Sequence, residues 1–313
     1  MSALIEMKNV SKLYGNVIGL NDVSITLEPG VYGLLGPNGS GKTTFINLIM
    51  GQLRPSIGKV RVFDSNPSWD GAYLSRIGLC PATDIYVPQM TGLQWVTHQV
   101  ALYGYSLTRA RQLAIEALEL VKMSHAWDRL IGGYSLGMRQ RCKLAQAIAH
   151  EPELLILDEP FNGLDPVGRF EMTDFLNRWV EKGRSLIMAS HILHEVEAVD
   201  CRFLLLSGGR LLASGSPREV RGLLPDVLNQ VLIRTPNYRE IAATLLTLPS
   251  ISSLRLDESK QTILVSTSDV PQLAELIDNM VRQQGYSVIE LRPEDESLQN
   301  LFNILMQVHR GER

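Results

Sequence analysis

The chain is 313 residues long with 45% apolar side chains, more than one domain usually holds and ample for a buried core, which excludes disorder and predicts two domains. A net charge of −3 provides no basic field for gripping a nucleic-acid backbone, so direct nucleic-acid binding is not expected. The three cysteines, Cys80, Cys142 and Cys201, are an odd set without a C-x-x-C pair, which argues against a disulfide framework and against zinc, and marks them as reduced, small apolar side chains.

The first residues, "MSALIEMKNV", lack a basic start followed by an apolar run, and no stretch reaches the roughly 18 apolar residues that span a bilayer. A cytosolic chain that does not itself cross a membrane is expected. From residue 4 to about 64, runs such as "SITL" and "KVRVF" alternate apolar and polar residues and predict strands, broken at "YGN", "EPG" and "SIG". One helix interrupts them, starting after "VYGLLG" and running through "TTFINLIMGQL", which gives the order strand, glycine loop, helix. The loop "GPNGSGKT" fits G-x-x-x-x-G-K-[ST]. Gly36, Gly39 and Gly41 let backbone N–H groups face phosphate oxygens, Lys42 brings a point charge to the β and γ phosphates, and Thr43 offers a magnesium ligand. Pro37, Asn38, Ser40 and Thr44 complete the run expected to contact ATP.

Residues 92–128 have helical periodicity, with Leu113, Ala117, Leu120 and Val121 assigned to one face of a helical insertion. "GGYSLGMRQR" (132–141) then marks another helix start, and so a second place where free N–H groups can meet an anion. "LLILDE" (154–159), "SLIMAS" and "CRFLLLS" are continuous apolar runs, as parallel strands covered on both faces require. At the end of the first, Asp158 suits a magnesium shell and Glu159 can accept a proton from an attacking water; alone, the pair would fit a solvated acidic turn as well. "SGGRLLASGSP" predicts a hairpin turned by two glycines. Beyond "SGSPREVRGLLPDV" the order becomes strand, helix, strand, strand, helix, strand, which predicts a small ferredoxin-like α+β domain closed by a final helix, "EDESLQNLFNILMQV".

Tyr14, the loop at 36–43, "YSLGM" at 134–138, "LLILDE", "GLDP" at 163–166 and "SH" at 190–191 occur in an order that resembles the ATP-binding subunits of ABC transporters, most of all the type-2 exporter ATPases. The resemblance covers roughly residues 4–217. It implies an α/β fold: a P-loop NTPase of the ABC nucleotide-binding type over 1–217, with an antiparallel N-terminal sheet, a parallel core sheet and a helical subdomain at about 88–135. A linker at 218–230 and a ferredoxin-like accessory domain at 231–313 would follow. The same resemblance implies an ATPase using ATP and Mg2+, with Tyr14 stacked on adenine, Thr43 and Asp158 on the metal, Glu159 as general base and His191 on the γ-phosphate. Asp165 would organise a subunit interface, although Asp before Pro166 equally suits a helix N-cap. Ser135 and Gly137 would meet the ATP held by a second ABC ATPase subunit, a homodimer being favoured over a heterodimer. Separate integral-membrane permease subunits and a peripheral position on the inner, cytoplasmic face of the cell membrane are implied. The competing classes are a soluble ABC-type ATPase acting on a ribosome or nucleic-acid complex, and a regulatory module sensing a ligand through its C-terminal domain.

Two departures from the family pattern stand out. Ala82 occupies the place after Pro81 where the family usually has a glutamine linking metal and water to the membrane partner; Gln89 lies seven residues on, and Asp84 offers a route to the metal through water. Tyr134 and Leu136 replace the leucine and glycine usual there, while Ser135 and Gly137 are kept.

Overall fold

In a computed structural model of the chain, the structure describes residues 3–67, 71–84, 87–199, 201–216, 219 and 228–293. Contacts divide the chain into one unit over residues 1–214 and a second from 215 onward.

In the first unit, β1 (Ile5–Tyr14), β2 (Val17–Leu27) and β4 (Ile57–Val62) make an antiparallel sheet in the order β2-β1-β4. A second sheet takes β3 (Val31–Leu35), β5 (Ile77–Cys80), β6 (Leu154–Asp158), β7 (Ser185–Ser190), β8 (Arg202–Ser207) and β9 (Arg210–Gly215) in the order β5-β6-β7-β3-β8-β9. It is parallel from β5 through β8. Every residue of β6 and β7 is buried, which is why those strands read as unbroken apolar runs. The β8–β9 connection is the expected two-glycine turn, with Gly208 and Gly209 at φ 54° and 78°.

Between the strands run α1 (Lys42–Ile49), α2 (Gly92–Ala101), α3 (Leu107–Leu120), α4 (Leu136–Ile148), α5 (Pro166–Glu181) and α6 (Leu193–Glu197). Helix α1 buries Phe45, Ile46, Leu48 and Ile49 in one cluster with Leu34, Ile156 and Ile187 of the parallel sheet and Ile5, Val10 and Leu20 of the antiparallel one. At roughly 1.5–3 kcal/mol per buried large apolar side chain, this packing fixes the helix that follows the glycine loop. It ends earlier than its sequence suggests, at Ile49, because Met50 caps it and Gly51 turns the chain at φ 68°. On α3 the buried residues are Ala110, Leu113, Ala114, Ala117 and Leu118, followed by Val121, whereas Leu120 is 61% exposed. The expected face is therefore corrected. At 100° per residue Leu120 falls roughly 90° from the centre of the buried arc.

The second unit has β10 (Asn229–Arg234), α7 (Tyr238–Leu245), β11 (Ile251–Asp257), β12 (Thr262–Thr267), α8 (Val270–Gln284) and β13 (Glu290–Pro293), with antiparallel order β11-β12-β10-β13. This is the ferredoxin-like arrangement. Val231, Ile233, Ile263 and Val265 of the sheet face Ile241, Leu245, Leu273 and Ile277 of the helices in one core. The last strand is shorter than "YSVIELR" predicts, since Gly285 ends α8 at φ 72° and the ladder to β10 starts at Glu290. The expected final helix lies outside the described residues, as does most of the linker. Among the described residues no helix is long and apolar enough to cross a membrane.

No cysteine is in a disulfide among the described residues, and burial pushes the Cys80 and Cys142 thiols up to about 12, so those two are inert packing groups.

Candidate functional site

Strands β6, β7 and β3 are neighbours, and their parallel register sets Asp158 beside Ala189 and Leu35 beside Ser190. The chain therefore leaves one edge of the sheet at Gly36, Glu159 and His191, where the carboxyl ends of parallel strands form ligand crevices.

The loop after β3 is shaped by close approaches. A Cβ at Gly36 would stand 2.3 Å from the Leu206 carbonyl, and one at Gly41 (φ 109°) would stand 2.5 Å from the Gly19 carbonyl. Gly41 is also the N-cap of α1 and supplies no side-chain cap, so the first-turn N–H groups face outward as an anion site. From behind, the Gly209 N–H donates to the Ser40 carbonyl at 3.0 Å and the Asn21 N–H to the Gly209 carbonyl at 2.8 Å. The Pro37 carbonyl closes the loop by accepting from the Ser40 N–H at 3.1 Å.

Lys42 lies folded into this loop, its Nζ 2.7 Å from the Gly36 carbonyl, 3.3 Å from that of Pro37 and 4.0 Å from Glu159 Oε1. Burial lowers its pKa against the opposing pull of Glu159 and Asp158. Thr43 Oγ1 donates to Asp158 Oδ2 at 3.4 Å. Burial, then the neighbouring charge of Glu159, raises the Asp158 pKa, and Lys42, the Thr43 hydrogen bond and Lys143 offset only part of that. Ser40 Oγ is buried with no hydrogen-bond partner among the described residues. A helix start without a cap, an orphaned hydroxyl and an under-compensated acid pair fit a bound polyphosphate with a hard cation; Thr43 and Asp158 are the oxygen donors suited to that cation. The space they face is an open cleft of about 400 Å3, lined by residues 38–44 together with Tyr14, Ala82, Asp158 and Glu159.

Tyr14 ends β1 at the rim of that cleft. A Cβ on Gly19 would meet the Tyr14 ring at 2.6 Å, so only glycine there lets the ring settle, and its hydroxyl is 3.4 Å from Thr44 Oγ1. Tyr14 is 45% exposed, which leaves the residue open for base stacking.

Glu159 has a left-handed backbone at φ 54°, a conformation that costs a non-glycine residue of order 1–3 kcal/mol. It is held there by its N–H, which extends the β6–β7 ladder by donating to the Ala189 carbonyl at 2.9 Å. The twist aims the carboxylate at the cleft and at His191, whose Nδ1 is 2.9 Å from both carboxylate oxygens. With Nδ1 engaged, Nε2 is the ring nitrogen left for a phosphate.

Ser135, Gly137 and Asp165 are brought together elsewhere on the same unit. They line a second open cavity of about 480 Å3, which shares no lining residue with the first. Ser135 is the N-cap of α4, its Oγ accepting from the Met138 N–H at 3.2 Å, and the hydroxyl proton is still available to an outside acceptor. Asp165 is the N-cap of α5, Oδ1 accepting from the Gly168 N–H at 2.7 Å ahead of Pro166. Tyr134 is buried with its hydroxyl donating to the Ala126 carbonyl at 2.7 Å, a bond that a leucine could not make, and Leu136 is exposed in the second cavity.

Of the residues near position 82, Ala82 itself lines the cleft, while Asp84 is not part of that lining and pairs with Arg139 at 2.7 Å. Sequence reading also missed a hydrogen-bonded set beside His191: buried Ser190 Oγ donates to Glu195 Oε2 at 2.6 Å, and Glu195 Oε1 pairs with the half-buried Arg169 at 2.7 Å. No spacing rule flags such a set, because its members come from a strand end and two helices.

A family model described as "ABC transporter" matches residues 20–162. The chain is 34% identical over 220 residues to the Nod factor export ATP-binding protein I of Burkholderia orbicola, covering 70% of this chain and 72% of that one. It is 34% identical over 215 residues to the bacitracin transport ATP-binding protein of Bacillus licheniformis, covering 68% of this chain and 69% of that one. Among solved structures, an ATP-binding subunit of an ABC transporter superposes with a TM-score of 0.64 at 27% identity, over 71% of this chain and 93% of that one.

Proposed function

The chain belongs to the ABC transporter family as an ATP-binding subunit, and from that premise we propose that it powers an exporter by closing and opening as a dimer around ATP. The observation that carries this reading is the separation of the two half-sites. Lys42 and Glu159 face one cavity, Ser135, Gly137 and Asp165 face another, and two copies placed head to tail would bring each cavity against its complement.

In this mechanism residues 36–44 cradle the triphosphate, and Lys42 exchanges its carbonyl partners for β and γ phosphate oxygens. Magnesium, when bound through Thr43 and Asp158, neutralises charge on those phosphates. Glu159 accepts a proton as water attacks the γ phosphorus; the new P–O bond forms while the bond to the β-phosphate oxygen breaks, leaving ADP and inorganic phosphate. His191 orients Glu159 and meets the γ-phosphate through Nε2. Across the interface, Ser135, the Gly137 backbone and the dipole of α4 contact the partner's γ-phosphate, with Asp165 ordering the adjoining loop. Losing that phosphate removes what favours the closed pair, and the subunits part. Residues 1–217 would act as the ATPase domain and 231–313 as an accessory domain across the 218–230 linker. The export direction is supported by the relatives named for Nod factor export. The subunit would lie on the inner face of the membrane against separate permease chains.

Affinity purification from detergent-solubilised membranes is the test. Recovery of an integral-membrane permease is expected; ribosomal proteins or nucleic acid in its place would overturn the transport reading.

Ala82→Gln is expected to raise basal and permease-stimulated ATPase rates, because position 82 lines the cleft beside Asp158 and Glu159 and an amide there would reach the reacting water. Steady-state rates with and without permease decide it, and no change in either would refute the idea.

A further inference from the structure

Helix α4 carries a lysine where its packed face should be apolar. Lys143 is 4% exposed, among buried Cys142, Leu144, Ala145 and Ala147. Its ammonium is 2.9 Å from the Pro81 carbonyl, 3.1 Å from that of Thr83 and 3.5 Å from that of Ala82. Three successive carbonyls thus curl around one buried charge. Earlier on the same helix two more side chains reach this segment. Gln140 reaches Cys80 Sγ at 3.6 Å, and Arg139, one turn before Lys143, pairs with Asp84 at 2.7 Å while also donating to the Tyr134 carbonyl. Residues 80–84 are in this way fastened to residues 139–143 of α4.

We infer that Lys143 and Arg139 are positioning residues that bind the loop at 81–84, which borders this chain's own nucleotide cleft through Ala82, to the helix whose N-terminus presents Ser135 and Gly137 to a partner's nucleotide. The physical reason is the poverty of alternatives. A buried ammonium cannot be left unpaired, and carbonyls drawn inward to it lose their water, so loop and helix separate only at the cost of both. A displacement of the loop on nucleotide binding then moves the start of α4, and by linkage a partner's grip on α4 is felt at the loop. No small side chain at 82 can supply such a link, and no local motif announces it; it depends on a cation two turns beyond the N-cap.

The second half of this inference rests on the two-subunit site proposed above, and the test separates the two. In the full-length, nucleotide-free protein, hydrogen exchange of the 82–84 amides is read for Lys143→Met, Lys143→Arg and Asp84→Asn. About tenfold faster exchange is expected for Lys143→Met, with recovery toward wild type in Lys143→Arg and a smaller rise in Asp84→Asn, which removes the outer ion pair without opening a core position. ATP titration on a sizing column then compares Glu159→Gln with Glu159→Gln/Lys143→Met and Glu159→Gln/Asp84→Asn. Each added substitution is expected to raise the ATP concentration for dimerisation several-fold. Unchanged exchange in both Lys143→Met and Asp84→Asn, or faster exchange with an unshifted dimerisation midpoint, would overturn the inference. If Lys143→Met does not fold, the Asp84→Asn results decide alone. Failure of Glu159→Gln itself to dimerise would count against the two-subunit site instead, and the exchange result would still decide whether the fastening exists.

Discussion

Glu159→Gln is expected to lower ATP hydrolysis by roughly a hundredfold to ten-thousandfold, the range for losing general-base help, while ATP still binds. The amide keeps the length and shape of the side chain, so the left-handed turn at φ 54° and the ladder bond to the Ala189 carbonyl are expected to survive. What is lost is the ability to take a proton from water, together with the charge held 2.9 Å from His191 Nδ1. Since binding and hydrolysis are then uncoupled, the closed pair accumulates. A sizing column run in ATP and magnesium should show more dimer for this variant than for the wild type. A variant that hydrolyses at the wild-type rate, or stays monomeric at ATP concentrations far above its binding constant, removes Glu159 from the role given to it.

The second large effect is expected at Lys42. Lys42→Met preserves much of the aliphatic stem in the loop but removes the ammonium 4.0 Å from Glu159 Oε1, and with it the charge available to the β and γ phosphates. A hydrogen bond to a charged group contributes about 1.5–3 kcal/mol, so ATP affinity should fall by roughly ten- to a hundredfold. Hydrolysis should fall further, to background, because charge stabilisation grows as the γ phosphoryl group departs. Calorimetric titration reads the first quantity and phosphate release the second. The thermal stabilisation that saturating ATP gives the wild type should shrink in step with affinity. Affinity within twofold of wild type would mean that Lys42 serves the loop and not the nucleotide.

The parts of this molecule legible in its sequence are those written in consecutive residues. The phosphate loop needs glycines at fixed offsets, β6 and β7 need unbroken apolar runs, and Ser135 and Asp165 are helix caps ahead of glycine or proline; each constraint is local. The face of α3 was misjudged at Leu120 because periodicity gives the phase of a stripe but not its edges, which depend on what packs there. The hydrogen-bonded set from Ser190 through Glu195 to Arg169, and the fastening of residues 80–84 to α4, join segments far apart in the chain, and only the folded register brings them within 3 Å or so of each other. Asp84 shows the same limit from the other side, since a carboxylate two residues past Ala82 is free in sequence to serve a metal and is instead bound to Arg139.

The brace behind the phosphate loop has a consequence for how the protein comes into being. β3, which delivers the loop, is completed as an inner strand only by β7 and β8, and the Ser40 carbonyl waits for the Gly209 N–H. During synthesis the ribosome releases the loop long before any of these, so a growing chain carries the whole G-x-x-x-x-G-K-T signal without the walls that shape it. The loop can therefore take the shape described above only once the β8–β9 turn stands behind it, and the glycine pattern alone does not make the cradle.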